Sequence, residues 1–191
     1  IQMGNTANNH FSISRSVRIT GPGANLLSVN AGATTSARIF SFTGTGTSSI
    51  SGLQLQSGNY HPGFASDAGG GIHANGAMNL TLDGVLMNNN HAGIEGGALY
   101  LSTGTFTIRN SAILGNNAQT CGAMIVIFGA SMTMTNSTVS HNSSVERGGG
   151  ICAYGSNTFI NIRNSTITLN STGIGGGGIH SYVASVLRLG N

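Results

Sequence analysis

Four carboxylates, six histidines and two cysteines carry most of the acid–base, metal-binding and thiol chemistry open to this 191-residue chain. The carboxylates are Asp67, Asp83, Glu95 and Glu146, and the seven basic residues are all arginine. Cleaving a polysaccharide by elimination needs carboxylates gathered on a calcium ion and a basic proton acceptor; hydrolysis needs two or three carboxylates facing one another. A zinc site needs three or four ligands converging within a few ångströms, and a disulfide needs Cα atoms about 4.4–6.8 Å apart. Whether any such set converges depends on the elements that hold the residues.

Composition narrows those elements. The chain is 39% hydrophobic and 6% charged, which excludes a disordered tail. Its 31 glycines do not recur at every third position, so it is not collagen-like. No apolar run approaches the roughly 20 residues of a membrane span. A net charge of +3 from scattered arginines is too dilute to track phosphates, so no nucleic-acid partner and no membrane insertion are expected. Abundant Gly, Ser, Thr and Asn describe extended strands joined by tight turns.

An internal repeat sets the architecture. One block reads Gly69-Gly70-Gly71-Ile72, Leu80-Thr81-Leu82, Val85-Leu86-Met87 and Asn90. It returns as Gly96-Gly97-Ala98-Leu99 with Phe106-Thr107-Ile108, as Cys121-Gly122-Ala123-Met124 with Met132-Thr133-Met134, and as Gly148-Gly149-Gly150-Ile151 with Ile160-Asn161-Ile162. A further copy opens at Gly176. Met87, Ile113, Val139 and Ile167 are spaced by 26, 26 and 28 residues. Three alternating segments per period, with no helix between them, predict a solenoid of three-sided coils stacked in parallel about 4.8 Å apart. That is an all-β, single-stranded parallel β-helix of about seven coils.

Alternation assigns the faces. Leu80/Leu82, Phe106/Ile108, Met132/Met134 and Ile160/Ile162 point inward as stacked columns. Val85/Met87, Ser111/Ile113, Ser137/Val139 and Ser165/Ile167 line the inside of the third side. Asn110, Asn136 and Asn164, and likewise Asn90, Asn116, Asn142 and Asn170, suit left-handed corners, and stacked Asn side chains can hydrogen-bond along the stack. The whole chain, 1–191, reads as one domain: irregular N-terminal coils over 1–55, an inserted loop over 56–68, and regular coils over 69–191. It begins without a leader pattern and stops inside a repeat, so it is expected to be a segment of a longer chain.

Gly21-Pro22-Gly23-Ala24-Asn25-Leu26-Leu27, Ile50-Ser51-Gly52-Leu53 and the GGGI…NSTI…N units resemble bacterial secreted right-handed β-helix proteins of the pectate-lyase-like superfamily. They are most similar to surface or adhesin-like proteins with GGGI…NSTIxxN repeats. The Gly96–Leu99 element is similar to that of chlamydial-type polymorphic outer-membrane proteins. The resemblance implies a right-handed coil and a secreted or bacterial cell-surface location. For function it implies lyases, hydrolases, adhesins and passenger domains alike.

The columns then place the reactive residues. Asp67 and Asp83 fall on different sides of a coil, and Asp83 sits in the column of Arg109, where a surface ion pair is expected. Glu95 falls in the column of Arg147, two coils away. His73 and His180 share a column four coils apart, about 19 Å; His91 and His141 lie on different columns, and His10 and His61 in irregular stretches. Neither a catalytic carboxylate set nor a metal site is expected, and no cofactor. In the Met124/Ile151 register Cys121 stands three residues before and Cys152 one after, about 13 Å of extended strand, so two free thiols are expected. The sequons at Asn136, Asn142, Asn164 and Asn170 follow from corner Asn preceding strand Ser or Thr.

One surface feature is a binding candidate: the outward column His73, Tyr100, Ile125, Cys152, His180 beside the smooth strip Gly71, Ala98, Ala123, Gly150, Gly178. Such a strip would dock cell-surface glycans or another protein. The expectation is a non-catalytic extracellular module, a surface stalk, adhesin-like or passenger structure. The alternative is a polysaccharide-binding or polysaccharide-cleaving module. Less favoured are an ice-binding solenoid, whose Thr-x-Thr pattern breaks at Ala112/Leu114, and a filament subunit associating end to end through open coil ends.

Overall fold

Short apolar alternations separated by left-handed corners build every coil of the protein. The computed structural model describes residues 1–3, 9–32, 36–61, 63, 67–183 and 185–190. Among these there is no helix, and the strands stack into three parallel sheets over about six turns, the longest sheet reaching seven levels.

The largest sheet is bent. One limb runs through Phe11–Ile13, Phe40–Phe42, Ile72–Asp83, Leu99–Arg109, Met124–Ile127, Ile151–Tyr154 and Ile179–Tyr182. The other runs through Arg18–Thr20, Gly46–Ser51, the same two long strands, then Ser131–Thr135, Phe159–Arg163 and Val186–Gly190. Two of the three sides expected from the repeat are thus continuous in the middle coils and separate later, at Phe128 (φ 55°) and Gly155 (φ 94°). The second sheet stacks Ser28–Asn30, Gln54–Gln56, Leu86–Asn88, Ala112–Leu114, Thr138–Ser140 and Thr166–Thr168.

The third sheet stacks Asn59–Tyr60, His91–Glu95, Asn117–Thr120, Ser143–Ser144 and Ser171–Thr172. These short polar runs carry no apolar alternation and read as corners in the sequence. Asn59–Tyr60 pairs with His91–Ala92, so the segment expected to leave the stack joins it in part. Pro62 and residues 64–66 lie outside the described residues.

The inward columns run as the alternation requires. Ser48, Leu80, Phe106, Met132, Ile160 and Leu187 are in register, as are Val29, Leu55, Met87, Ile113, Val139 and Ile167. All but Leu187 and Ile167 are buried, each large side chain worth about 1.5–3 kcal/mol of burial. Asn110, Asn136 and Asn164 take positive φ of 52°, 48° and 47°, whereas Asn90, Asn116, Asn142 and Asn170, expected at the same kind of corner, do not: their side chains are held in the stack instead.

Two polar ladders run beside the core. Asn90 Nδ2 donates to Asn116 Oδ1 (3.0 Å), Asn116 to Asn142 (2.9 Å) and Asn142 to Asn170 (2.9 Å). Each accepting Oδ1 also takes the backbone N–H of the Asn one coil earlier. In the same way Ser111, Ser137 and Ser165 accept the N–H of Val85, Ser111 and Ser137. Asn142 is thereby fully buried, so its sequon presents no accessible amide.

Candidate functional site

The outward column of the first limb has the expected register: His73, Tyr100, Ile125, Cys152, His180. The His73 and Tyr100 rings stack face to face, centroids 4.7 Å apart and planes 2° apart. Burial corrects the rest. Ile125 and Cys152 are only 1% and 2% exposed, and with Cys121, Ile127 and Tyr100 they form a second apolar cluster outside the main core. The adjoining strip is not a surface either, apart from the half-buried Gly178 at its end. Ala98 and Ala123 are fully buried, and a Cβ on Gly71 would lie 2.6 Å from Met87 Cε. Small residues are required there because the coil closes on itself.

Cys121 and Cys152 form a disulfide, with Cα atoms 5.6 Å apart, so the expectation of free thiols is wrong. Counting extended residues fails because no strand runs from Cys121 to Met124: one strand ends at Thr120 and the next begins at Met124. Cys121 takes φ 60° at a corner that glycine holds in the neighbouring coils, Gly96 and Gly148 both at φ 60°. A Cβ on Gly96 would lie 3.3 Å from Ile125 Cγ2, and one on Gly148 would meet Cys152 Sγ and lie 3.2 Å from His180 Cβ. Any side chain at this corner is therefore delivered onto the outward column, and Cys121 meets the cysteine of the next coil.

The disulfide floors a small cavity whose rim carries charge and aromatic rings. Glu95 and Glu146 both line it, with Arg147, Tyr154 and His180. Burial pushes the Glu95 carboxyl above its ordinary value. Glu146 accepts hydrogen bonds from Gln119 Nε2 (2.7 Å) and Thr120 Oγ1 (3.4 Å). Next along each strand, the outward position carries Ser102, Ile127, Tyr154 and Tyr182 in register. The Tyr154 and Tyr182 rings stack at 5.1 Å and stay 39% and 46% exposed. Arg147 Cζ lies 6.0 Å from the Tyr182 centroid, and His180 stacks on Tyr182 at 6.2 Å. His180 Nε2 is buried with no hydrogen-bond partner among the described residues. Exposed aromatic faces beside carboxylates and a guanidinium suit a polyhydroxylated ligand, which offers C–H faces to rings and hydroxyls to charges. The signal for the tyrosines is in the sequence: each lies two residues beyond Cys152 or His180, where the same alternation points outward.

The other carboxylates lie elsewhere. Asp83 pairs with Arg109 at 3.0 Å as expected and accepts from Asn110 Nδ2 at 2.9 Å. That hydrogen bond, with Arg109, holds the carboxyl below its ordinary value. Asp67 is 2% exposed, with His61 Nδ1 3.5 Å from its Oδ2. Near it Arg38 is buried, donating to the Ala68 carbonyl at 2.9 Å with its guanidinium 3.6 Å from the Tyr60 centroid. Burial lowers Arg38 to about 10 despite Tyr60 and Asp67. His73 falls to about 3, through burial first and then the charges of Arg38 and His10.

A family model described as "Right handed beta helix region" matches residues 30–186. No curated protein and no solved structure matches the chain.

Proposed function

The chain belongs to the right-handed β-helix family, and from that premise we propose that it is a non-catalytic extracellular module, an adhesin-like rod of a bacterial cell surface that holds a glycan against its side. The observation that carries the binding role is the exposed Tyr154–Tyr182 stack next to Arg147 at the rim of the cavity shared by Glu95 and Glu146. The disulfide supports the location, because such bonds persist in oxidising compartments. The glycan site proposed from the sequence therefore moves from Ile125 and Cys152 to the tyrosines beside them.

Retention of the chain on immobilised neutral and acidic polysaccharides tests this reading. Tyr154→Ala and Tyr182→Ala are each expected to weaken retention about tenfold, the loss of one aromatic stacking contact of roughly 1.4 kcal/mol. Retention unchanged in both variants would sink it.

Polysaccharide hydrolysis is the second reading, favoured by one arrangement. A carboxyl whose pKa is raised by burial (Glu95) and a carboxyl that accepts hydrogen bonds (Glu146) line one cavity two coil rises apart, roughly 9.6 Å at the backbone. Inverting glycosidases separate acid and base by about 6.5–9.5 Å. New reducing ends in the same wells, abolished by Glu95→Gln with retention intact, would make the module an enzyme.

A further inference from the structure

The third sheet brings together two histidines that the sequence separates by thirty residues. His91 pairs with Asn59 and Ala92 with Tyr60, so His61 continues beside Gly93, on the same face as His91 and diagonal to it. The two imidazole centroids lie 6.2 Å apart with planes inclined by 60°. Gly93 makes the approach feasible: a Cβ there would overlap His61 Nδ1 and lie 2.9 Å from Asp67 Oδ2.

A hydrogen bond fixes the tautomer of His91, and a carboxylate orients His61. Asn117 Nδ2 donates to the Ser143 carbonyl (3.2 Å) and hydroxyl (3.0 Å), so Asn117 Oδ1 must be the acceptor facing His91 Nδ1 at 2.9 Å. His91 Nδ1 therefore carries the proton. His61 Nδ1 faces the Asp67 carboxylate at 3.5 Å, an electrostatic contact that favours the proton on that nitrogen. With Nδ1 so engaged, Nε2 is the nitrogen each ring offers to a ligand, and His61 is 64% exposed over a carboxylate that is 2% exposed. A histidine whose far nitrogen is anchored by a buried carboxylate or amide oxygen is the arrangement that orients metal ligands and raises their basicity. A metal ion about 2.1 Å from each Nε2 sets the ring centroids about 5.3 Å apart at a tetrahedral angle and about 6.5 Å apart when the two nitrogens are opposed, so the observed 6.2 Å lies within reach of a small rotation of either ring.

We propose that His61 and His91 form an open two-histidine site for a divalent transition-metal ion of the zinc, nickel or copper type, with water in its remaining positions. Imidazole nitrogen favours these ions over calcium and magnesium. Among the described residues no group of three or more His, Cys, Asp or Glu could hold a metal, so the site offers two protein nitrogens and exchangeable water. It lies apart from Tyr154 and Tyr182 and stands or falls independently of glycan binding.

Calorimetric titration of the full chain with zinc chloride tests the proposal, with His61→Gln, His91→Gln and, as a control on an unrelated corner, His141→Gln. One ion per chain is expected, each of the first two substitutions weakening binding at least tenfold and the third leaving it unchanged. Copper(II) bound to the unaltered chain should show nitrogen hyperfine splitting from two imidazoles, which guards against a variant that merely misfolds. Absence of binding at millimolar zinc, dependence on His141 instead, or a copper spectrum without two nitrogens would each overturn the site.

Discussion

At the scale of single residues, His73 and Cys121 are where the chain departs from what its pattern suggests. His73 is held neutral, its pKa lowered from 6.5 to about 3 by burial. The unfolded chain takes up a proton below pH 6.5 that the folded chain refuses. The stabilisation is therefore complete above pH 6.5 and is lost as pH falls toward 3, by up to about 1.4 kcal/mol per pH unit. Glu95 acts with the opposite sign, since burial raises its carboxyl and ionising it as pH rises past its ordinary 4.5 costs stability. Melting temperatures between pH 6.5 and 5 should fall, and His73→Phe, which keeps the stack on Tyr100, should flatten that slope; an unchanged slope would mean that another group controls it. The disulfide closes a loop of sequence separation 31, so reduction or the double Cys→Ser variant should cost about 3–4 kcal/mol in urea denaturation. The sequence places both cysteines on neighbouring coils, but not in contact, because a left-handed φ at a non-glycine residue leaves no mark in residue spacing.

At the scale of elements, legibility follows apolar content. The columns of Leu80, Phe106, Met132 and Ile160 are readable because alternate residues are large and apolar. The third sheet is not, because its strands are as short as Ser143–Ser144 and Ser171–Thr172 and are fixed by their neighbours rather than by their own burial. That sheet places both His61 and Glu95, and so the candidate sites were less legible than the fold. The asparagine ladder is an element in its own right. Asn116 Nδ2 donates to the carbonyls of Met87 and Leu114 as well as to Asn142, while its Oδ1 takes two bonds from Asn90. Asn116→Ala orphans several buried groups at about 1–3 kcal/mol each, so a loss of about 3 kcal/mol or more is expected from denaturant midpoints. A loss under about 1 kcal/mol would mean that water substitutes for the amide.

At the scale of the molecule, each coil touches only the coils above and below it, so stability accumulates along one dimension. Phe106, enclosed between Leu80 and Met132, should cost about 3–5 kcal/mol when changed to alanine. Leu187 packs only partly buried against the core, so Leu187→Ala should cost less, and equal losses would contradict a stacked core. The hydrogen bonds between coils lie along the stacking direction, which has a mechanical consequence. Tension applied from end to end opens those bonds in series, and the rod should unreel one coil at a time. The bond from Cys121 to Cys152 interrupts that unreeling. It withholds the chain between two residues 31 apart, roughly 100–110 Å of extension, until a reductant releases it.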